Sequence, residues 1–411
     1  MRPLRVLFVA PYVPSRLRPR PLHFIQGLAE RGHRVVLVAA ATLPGELEAA
    51  EALRPLCEQV HAVRVPTLRS LWNSARALGR GLPMQAAYCS SALLTSHVRA
   101  ALAAAPSCDV VHIEHLRAAT YGLAAIGRPR VFDAVDCMSA LHARAARLGP
   151  TWRSRLAAWT ERAPTRRFEH TLLQRFDRVL VTSEQERRAL LAIGDGAGTA
   201  PVTVLPNGVD LDHFAPQATP RDPDTLVFAG RMAYHANLAA ARVLIDAIMP
   251  RVWARRPRAE LVIAGADPPR RLRTWAARAG ARVRLTGTVA DLRPYLARAA
   301  VSVSPLPYAV GIQNKVLEAM AMAMPVVASP AAAAPLAARP GVDLLVEVEP
   351  DGFAAAVLRL IEDPLEAARI GAAGRAYVQE QHQWPLIAVR LEAVYREAIA
   401  SAARSASGIP R

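Results

Sequence analysis

The sequence predicts an α/β fold made of two doubly wound parallel sheets. Short apolar runs alternate with amphipathic helical stretches, and this alternation starts again after a turn-rich stretch at 206–223. A chain of 411 residues is also too long for one ordinary core. Doubly wound sheets bind ligands at the carboxyl ends of their strands. We therefore expect two Rossmann-like domains facing a cleft, over 1–205 and 224–384, with a linker at 206–223 and a helix over 385–402 that returns to the first domain.

The first domain begins with a strand, a helix and a second strand. Residues 5–10 form an apolar run, residues 22–31 have the spacing of an amphipathic helix, and residues 34–39 are again apolar. The first run is stopped by Pro11 and lacks a small-residue cleavage site, so we expect a buried strand rather than a signal peptide. Further strands are predicted at 60–65, 109–113, 129–134 and 178–182.

The second domain repeats this alternation. A helix is predicted over 315–322, and a last helix over 385–402. We find no run of about 18 uncharged apolar residues, so no transmembrane helix is predicted. Strands are predicted at 225–229, 260–264, 283–286, 301–304, 326–328 and 344–346.

The formal charge of +17 is concentrated in the first half, where 27 arginines face 15 acidic residues. Such a field attracts polyanions, anionic lipid headgroups or phosphorylated small molecules. Aromatic residues make up only 5% of the chain, and no zinc-finger, basic-zipper or ribonucleoprotein signature occurs, so no nucleic-acid partner is expected. The four cysteines show no Cys-x-x-Cys spacing, which favours a reducing cytoplasm over a disulfide framework or a zinc site.

Residues 140–178 form a basic segment with nine arginines and three acidic residues. Trp152, Trp159 and Phe168 are interspersed among the arginines. Arginine and tryptophan on an amphipathic helix suit an anionic membrane surface. A solvated helix whose aromatic residues pack on the domain is an equal alternative, and the sequence leaves both open.

The loop after the first strand, residues 11–21, contains no glycine. The dinucleotide fingerprint needs glycines for its tight turn and for the close approach of the pyrophosphate, so a nicotinamide or flavin dehydrogenase is disfavoured. Arg16, Arg18 and Arg20 in this loop are candidates for binding an anionic acceptor. A solvated loop is the alternative.

Lys315 is the only lysine among 51 basic residues. It follows the segment 311–314, where a predicted helix begins, and the free amides and dipole of a helix start favour an anion. Gly230 and Arg231 end an apolar strand, so Arg231 and Lys315 are predicted to flank a diphosphate. Glu318, one turn into the helix, is suited to vicinal ribose hydroxyls; a solvated glutamate is the alternative.

Two patterns suggest a metal but do not support one. His112, Glu114 and His115 follow a strand, yet alternate side chains point to opposite faces, so the three are not expected to converge. Asp210 and Asp212 lie in the turn-rich stretch. We expect no metal and no cofactor.

A series of motifs in the second half resembles a known family. In their order and spacing they are similar to the retaining, nucleotide-sugar-dependent glycosyltransferases of the GT-B fold, family 4 type. A narrower set, 234–237, 291–296 and 311–318, resembles sugar transferases associated with PEP-CTERM/exosortase exopolysaccharide systems. The first half matches more loosely, at 32–35 and 109–112. The principal motifs are Val181-Thr-Ser-Glu184, Leu205-Pro-Asn-Gly-Val-Asp210, Phe228-Ala-Gly-Arg231, Val262-Ile-Ala-Gly265, Leu285-Thr-Gly-Thr-Val289 and Leu317-Glu-Ala-Met-Ala321 followed by Met324-Pro-Val-Val-Ala328.

The resemblance implies a retaining hexosyltransferase that moves sugar from a nucleotide diphosphate sugar to a glycan or lipid-linked glycan. It implies that Arg231 and Lys315 contact the diphosphate, that Glu318 holds the ribose, and that backbone near Val289 meets the base. His112, like the arginines of the first loop, is a candidate for contact with the acceptor. The protein is then expected in the cytoplasm, peripheral to the inner face of the membrane. The donor-binding set is Gly230, Arg231, Val289, Gly311, Ile312, Gln313, Asn314, Lys315, Val316 and Glu318.

Three positions depart from the family pattern. Val310 stands where a glutamate facing the donor sugar is common, and a second phosphate lysine would fall near Ala236 and Asn237. The histidine that many members place after the strand at 130–136 is missing. Asp136, or Asp133, either replaces it or caps a helix, and the sequence leaves both open. Val310 and the missing histidine leave one alternative, a nucleotide-sugar-binding scaffold subunit that has lost catalysis. A sugar-nucleotide epimerase of similar architecture is a second alternative.

Overall fold

The structure is a computed structural model that describes residues 2–148, 152–194, 198–308 and 311–406. The chain divides into two compact units. The first unit comprises Met1–Pro206 together with Trp384–Arg411, and the second comprises Asn207–Gln383. Val310 and residues 149–151 of the basic segment lie outside the described residues.

The first unit is built on a parallel sheet. Its strands are β1 (Arg5–Ala10), β2 (Arg34–Ala41), β3 (Gln59–Arg64), β4 (Val110–Glu114), β5 (Arg130–Val135), β6 (Arg178–Val181) and β7 (Val202–Val204). In the described residues they pair in the order β3-β2-β1-β4-β5-β6-β7. The order reverses between β1 and β4, so the carboxyl ends of these strands form the topological switch point.

Helices cover both faces of this sheet. They are α1 (Pro19–Glu30), α2 (Glu46–Glu51), α3 (Thr67–Leu78), α4 (Met84–Ala87), α5 (Ala92–Ala103), α6 (Ala119–Leu123), α7 (Met138–Leu148), α8 (Trp152–Arg175) and α9 (Glu184–Leu191). The last helix of the chain, which spans Trp384–Ala406, also belongs to this unit.

Side chains of β1 alternate between two buried layers. Leu7 and Val9 pack in one layer, and Val6 and Phe8 pack in the other. The alternation follows from the two-residue period of a strand, and helices on both faces explain why the whole run is apolar. The last helix contributes Tyr395 to the layer that contains Phe8.

The second unit contains a parallel sheet of the same kind. Its strands are β8 (Asp222–Ala229), β9 (Glu260–Ala264), β10 (Val283–Gly287), β11 (Ala299–Ser304), β12 (Val326–Ala328) and β13 (Leu345–Val346). Within the described residues the order is β10-β9-β8-β11-β12-β13, which reverses between β8 and β11.

Eight helices of the described chain surround this second sheet. They are α10 (His235–Val243), α11 (Met249–Arg255), α12 (Arg270–Ala279), α13 (Arg293–Arg298), α14 (Asn314–Ala321), α15 (Pro330–Ala333), α16 (Pro350–Glu362) and α17 (Pro364–Gln381). The helix over Trp384–Ala406 is therefore α18. Leu244–Ile248 forms a π-helical stretch that joins α10 to α11.

The predicted fold class is confirmed, because both sheets are parallel and carry helices on their faces. The sequence-based strands coincide with observed ones to within a few residues at their ends. The short strand β7 (Val202–Val204) was not predicted, since the four residues between Pro201 and Pro206 give too little periodicity. None of the described helices combines the length and apolar character needed to cross a bilayer.

Candidate functional site

The second unit has a polar cluster at the switch point of its sheet. β8 ends at Ala229 and β11 ends at Ser304, and these strands are neighbours where the strand order reverses. Gly230 and Arg231 follow β8 directly, and Lys315 is the second residue of α14, which follows β11. Ligands bind at this edge in doubly wound sheets. The structure thus brings the predicted donor residues to the expected edge of the sheet.

Lys315 is held by neutral groups. Its Nζ donates to Oδ1 of Asn237 and lies 5.0 Å from the ring centroid of Phe228, where the ring quadrupole attracts a cation. Asn237 donates in turn through Nδ2 to the backbone oxygen of Arg231 at 2.9 Å. The ammonium is therefore fixed beside the end of β8 by an amide and an aromatic face.

Burial shifts both ionisable groups of α14 toward their neutral forms. Burial lowers the pKa of Lys315 to about 7, and the nearby Glu318 only partly opposes this shift. Burial likewise raises the pKa of Glu318 to about 7, against the opposing effect of Lys315. Strongly perturbed pKa values cluster at functional sites. An anion bound beside Lys315 would favour its charged form, so the pair is suited to a negatively charged ligand.

The backbones of two glycines, Gly230 and Gly265, approach each other closely beside Lys315. Gly230 has a φ of 146° and Gly265 a φ of 154°, which side-chain-bearing residues rarely adopt. A Cβ on Gly265 would lie 1.8 Å from the carbonyl oxygen of Gly230. A Cβ on Gly230 would lie 3.2 Å from Nζ of Lys315. The close approach of the two backbones requires glycine at 265, whereas at 230 the positive φ and the side chains of Asn237 and Lys315 favour glycine.

The guanidinium of Arg231 is not part of the Lys315 contacts. Its side chain is 72% exposed, and its Nε donates to Oδ2 of Asp267 at 2.9 Å. An exposed pair of this kind contributes about 0–1 kcal/mol, so the guanidinium is easily recruited by a stronger anion. The side chain of Asn237 connects the backbone oxygen of Arg231 to Nζ of Lys315.

The residues that precede α14 serve partly as backbone and partly as core. Gly311 has a φ of 62°, a conformation that favours glycine. Ile312 and Val316 are buried, with 8% and 1% exposure, and pack in the core of the second unit. Oδ1 of Asn314 accepts a hydrogen bond from Nδ2 of Asn207 at 3.1 Å. Ile312 and Val316 therefore support the loop with their side chains, and any ligand contact they make falls to their backbone.

Two further predicted donor residues lie in loops at this end of the sheet. Gln313 directly precedes α14, and its Nε2 donates to the backbone oxygen of Gly311 at 3.4 Å. The helix start that follows is a favourable position for an anion. Val289 lies in the partly exposed loop after β10. Thr286, near the end of β10, accepts a hydrogen bond from the Gly265 amide at 3.3 Å.

Arg20 is buried in the first unit. It lies in α1 with 5% exposure, so the solvated-loop alternative is wrong for this residue. Its Nε and Nη2 donate to the two carboxylate oxygens of Asp133 at 2.7 and 3.1 Å. Its Nη1 donates to the carbonyl oxygens of Leu205 and Pro206 at 2.9 and 3.3 Å. Arg20 thus binds groups of its own unit that are more than 100 residues away in sequence.

The other two arginines of the first loop are exposed. Arg16 is exposed within a tight turn that the hydrogen bond from the Arg18 amide to the Ser15 oxygen closes at 2.8 Å. The Arg18 guanidinium lies 4.7 Å from the ring centroid of Tyr12. Both remain available to an anionic acceptor, in contrast to Arg20.

His112 belongs to a buried network. Its ring stacks on Phe8 at 4.2 Å, its Nδ1 is 2.9 Å from the hydroxyl of Tyr395, and its Nε2 is 3.5 Å from Oε2 of Glu114. The hydroxyl of Tyr12 donates to Oε1 of Glu114 at 3.1 Å. Burial lowers the pKa of His112 to about 4 and raises the pKa of Glu114 to about 7. The buried imidazole holds the network together and does not present a free edge to an acceptor.

His112, Glu114 and Asp133 form a group of side chains with the chemistry of metal ligands. Ligand atoms of His112, Glu114 and Asp133 lie within 4.8 Å of one another. The expectation that His112, Glu114 and His115 would not all converge is confirmed, although His112 and Glu114 share one face and meet Asp133 of the neighbouring strand, a partner that was not predicted. His115 has a φ of 62° and accepts a hydrogen bond from the Arg117 amide at 3.3 Å. Both oxygens of Asp133 are taken by a guanidinium, which already balances its charge.

Asp136 follows β5 and accepts a hydrogen bond from the hydroxyl of Thr182 at 3.2 Å. Burial, with a contribution from Glu186, raises its pKa to about 7. The preceding Val135 has a φ of 64°, a strained conformation for a β-branched residue. The amide of Met138, at the start of α7, is bound instead by Glu169 at 2.6 Å. The helix-cap alternative for Asp136 is thus disfavoured.

Asn237 was named in the sequence only as a place where a lysine was missing. Its role as the hydrogen-bond partner of Lys315 depends on a contact across 78 residues. The sequence signal for this role was the missing second lysine, because a position near a phosphate site that lacks the usual cation needs another function.

Two family models match the chain. The model described as Glycosyltransferase Family 4 matches residues 22–213, and the model described as Glycosyl transferases group 1 matches residues 223–363. The two matches fall in the first and the second unit, apart from a few residues at the boundary.

Several characterised proteins are similar in sequence. A phosphatidyl-myo-inositol mannosyltransferase of Mycobacterium tuberculosis is 33% identical over 239 residues, which cover 55% of this chain and 61% of that protein. A GDP-mannose-dependent monoacylated alpha-(1-6)-phosphatidylinositol monomannoside mannosyltransferase of Corynebacterium glutamicum is 31% identical over 207 residues, covering 46% of this chain and 54% of that protein. The chain thus spans between half and two thirds of the length of these relatives.

Solved structures with the same fold cover nearly the whole chain. The sucrose-phosphate synthase of Thermosynechococcus elongatus has a TM-score of 0.73 at 19% identity and covers 97% of this chain and 100% of its own. The HepE protein of Anabaena, solved in complex with UDP and glucose, has a TM-score of 0.67 at 17% identity and covers 96% of this chain and 100% of its own. These likenesses show the fold. Together with the two family models, they place the chain among the GT-B glycosyltransferases of the group 1 and family 4 type.

Proposed function

We propose that the protein transfers a hexosyl unit from a nucleotide diphosphate sugar to a glycan or lipid-linked glycan, with retention of configuration. The observation that carries this proposal is the environment of Lys315, a partly buried amine at a helix start, with a carboxyl group one turn away. Solved HepE complexes with UDP and with UDP-glucose support a donor of this chemical class. The names of the mannosyltransferase relatives support a lipid acceptor.

Donor binding uses the groups at the carboxyl edge of the second sheet. The donor diphosphate takes the place beside Lys315 and the start of α14, and its charge stabilises the ammonium form. Arg231 leaves its exposed pair with Asp267 and adds a second cation. Glu318 accepts hydrogen bonds from the ribose hydroxyls, while backbone near Val289 meets the base. Preorganised donors aimed at a leaving group are each worth about 3 kcal/mol in the transition state.

The transfer step requires no carboxylate pair. The bond between the sugar C1 and the diphosphate oxygen breaks while an acceptor hydroxyl forms its bond to C1 on the same face. The proton of that hydroxyl passes to an oxygen of the leaving diphosphate. Asp136, which follows the strained Val135 and has a pKa of about 7, is assigned to orient the acceptor or donor sugar through a hydrogen bond. Arg16 and Arg18 are assigned to an anionic portion of the acceptor.

The proposed setting is the synthesis of exopolysaccharide or cell-surface polysaccharide, including PEP-CTERM/exosortase systems, at the inner face of the cytoplasmic membrane. The basic segment supports a membrane contact, because Trp152 and Trp159 are 69% and 67% exposed, unlike Phe168 at 6%. The tryptophans on α8 are thus not packed on the unit, which disfavours the solvated-helix alternative for them. No metal or cofactor is assigned to the reaction.

The direct test is the variant Lys315→Ala. Donors are first screened by thermal shift with several nucleotide diphosphates and their sugars, since a ligand that binds only the folded state raises the melting temperature. With the donor found, transfer to a panel of lipid-linked and free glycans is measured, and the anomeric configuration of the product is read by NMR. We expect Lys315→Ala to remain folded and to lose transfer. Unchanged transfer in this variant would exclude the assignment.

A second function is favoured by one observation, the amide Asn237 where the family often has a lysine. A chain that binds nucleotide sugar but lacks turnover would serve as a scaffold subunit. Donor binding without transfer across the acceptor panel would support this scaffold role. Release of free sugar without any acceptor would instead support a sugar-nucleotide epimerase.

A further inference from the structure

A cavity of about 510 Å³ lies in the second unit at the edge of the sheet where its strands begin. Arg221 and Pro223 of its wall lie at the start of β8, and Ala300 and Pro325 lie at the starts of β11 and β12. Lys315 follows the opposite ends of these strands, because all of them are parallel. The cavity, which we call the β8 cavity, therefore takes no part in the site described above.

The wall of the β8 cavity is apolar apart from one side chain. Arg221 is its only charged or polar residue in the described part of the chain, and every other lining residue is an alanine, proline, leucine, isoleucine or methionine. Small-molecule sites are typically cavities of about 300–1,000 Å³ with mostly apolar walls and a few polar groups that fix orientation. Both the size and the wall of this cavity suit a small molecule with an apolar body.

The guanidinium of Arg221 is bound by carbonyl oxygens. Its Nη1 donates to the oxygens of Leu296 and Ala299 at 3.1 and 2.9 Å, and its Nη2 donates to the oxygen of Met322 at 2.9 Å. A guanidinium has five N–H donors, so Nε and one proton of Nη2 keep no acceptor among the described residues. Carbonyl oxygens carry no net charge, so the positive charge of Arg221 is not balanced by these bonds.

Within the described ranges, no carboxylate balances this charge either. Burial lowers the pKa of Arg221, and no nearby carboxylate opposes that shift. The adjacent Asp222 uses Oδ1 to accept from the Asp224 amide and Oδ2 to accept from the Thr225 hydroxyl, both at 3.0 Å. Asp363, close in sequence to the wall residues of α17, caps the start of that helix. Because a partly buried charge favours an oppositely charged partner, an anion in the cavity would supply one.

We propose that the β8 cavity binds an amphipathic carboxylate, a small molecule with an apolar body and a single carboxylate group. The carboxylate accepts hydrogen bonds from the unused donors of Arg221, whose planar fork matches its geometry. The apolar body lies along the alanine and proline side chains of the wall. A sugar or a nucleotide is a poor occupant, because its hydroxyls and further charges would meet apolar groups without hydrogen-bond partners.

This site goes beyond the proposed function. Binding in the β8 cavity requires neither a donor nor turnover, so an inactive Lys315→Ala protein should bind the carboxylate like the unmodified one. Failure of the transferase proposal and failure of the carboxylate proposal are thus separate outcomes.

The test is isothermal titration calorimetry of the full chain with octanoate, with the neutral alcohol octanol and with acetate. We expect saturable binding of octanoate at a single site. Octanol and acetate should each bind at least about tenfold more weakly, since octanol lacks the charged group and acetate lacks the apolar body. Absence of saturable octanoate binding would overturn the proposal, and so would equal affinities for octanoate and octanol.

A cavity-filling variant locates the site. Ala368→Trp places a large side chain in the wall from the exposed side of α17 and leaves every contact of Arg221 in place, so octanoate binding should weaken by about tenfold or more. Ala277→Trp is the matched control, because Ala277 is also an exposed helical alanine, on α12, but does not line the cavity. It should bind octanoate like the unmodified protein.

A charge-removing variant tests the role of Arg221. Arg221→Gln should lower the affinity for octanoate to that for octanol, about tenfold or more, while octanol binding stays the same. Since this variant also loses contacts at the end of α14, Ala368→Trp decides the outcome if Arg221→Gln does not fold. Unchanged octanoate binding in Ala368→Trp would overturn the proposal. Loss of octanoate binding in Lys315→Ala would also overturn it, because the probe would then lie at the opposite edge of the sheet.

Discussion

Charged side chains have different surroundings at the switch points of the two sheets. In the first unit, Arg20, Asp133, Glu114 and His112 bind one another in a buried network. In the second unit, Lys315 is held by an amide and an aromatic ring, and Glu318 only partly offsets the effect of burial on its pKa. At the carboxyl edge of the first sheet the charged side chains therefore stabilise the fold. At the corresponding edge of the second sheet the charge of Lys315 is available to bind a ligand. Substitutions should reduce stability at the first edge and function at the second.

The largest effect is expected from Asp133→Ala. The buried Arg20 guanidinium would lose its only bidentate partner among the described contacts, and breaking a buried pair in this way costs about 3–5 kcal/mol of unfolding free energy. Urea unfolding followed by tryptophan fluorescence measures the loss. Asp267→Ala is the matched control, because it breaks the exposed pair with Arg231 and should cost at most about 1 kcal/mol. Equal losses in both variants would remove the contrast.

Glu114→Gln tests the pH dependence of the first edge. Burial raises the pKa of Glu114 to about 7 in the folded chain, so its contribution is fully favourable below the ordinary carboxyl pKa and is lost as the pH rises through 7. Unfolding free energies measured from pH 4 to pH 8 should show that the wild type loses about 1–3 kcal/mol relative to the glutamine variant. Parallel curves for the two proteins would show that Glu114 has the same pKa in the folded and the unfolded chain.

The second edge should show its pH dependence in binding. Burial holds the pKa of free Lys315 near 7, and a bound diphosphate would raise it, so donor affinity should fall as the pH rises above 7, by up to about tenfold per unit. Calorimetry at pH 8 in buffers of different ionisation enthalpy should reveal proton uptake on binding. Lys315→Arg is the control, because an arginine is always charged and should show no uptake from this position. Equal proton uptake in both proteins would assign the proton to another group.

The smallest effect is expected from Asn237→Leu. Without the amide, Lys315 loses a neutral hydrogen bond worth about 1 kcal/mol, and donor turnover should fall by about fivefold to tenfold. Asn237→Asp retains the shape but adds a carboxylate beside the ammonium, which competes with the diphosphate, so the Michaelis constant for the donor should rise. A leucine variant with unchanged donor kinetics would show that Asn237 does not position the lysine.

Local patterns predicted the strands well because most are short apolar runs rich in β-branched residues, and some, such as β1 and β4, are buried throughout, although β3 and β10 are only partly buried. The same reasoning placed Lys315 at the start of a helix and Gly230 at the end of a strand, where the structure has them. What it missed was long-range pairing. Arg20 reads as a loop residue until Asp133, 113 positions away, is seen to bind it. Nothing in the periodicity of either segment encodes that contact.

Strained backbone was equally invisible. Val135 and His115 have positive φ values at the ends of neighbouring strands, and this conformation is rare for a β-branched residue such as Val135. Only the assembled sheet holds them there. Exposure of Trp72 and Trp159 was also beyond the sequence, because an amphipathic pattern indicates that one side is apolar without saying whether that side meets the core.

The position of α18 in the fold has a consequence for synthesis. Trp384, Ile387, Leu391 and Tyr395 complete the same buried layer as Phe8, yet they are translated after the whole of the second unit. The first half of the chain is therefore synthesised before α18, which covers part of its core. The buried layer that contains Phe8 stays incomplete while some 180 further residues are made. We expect nascent chains arrested before Trp384 to expose the Phe8 layer to chaperones.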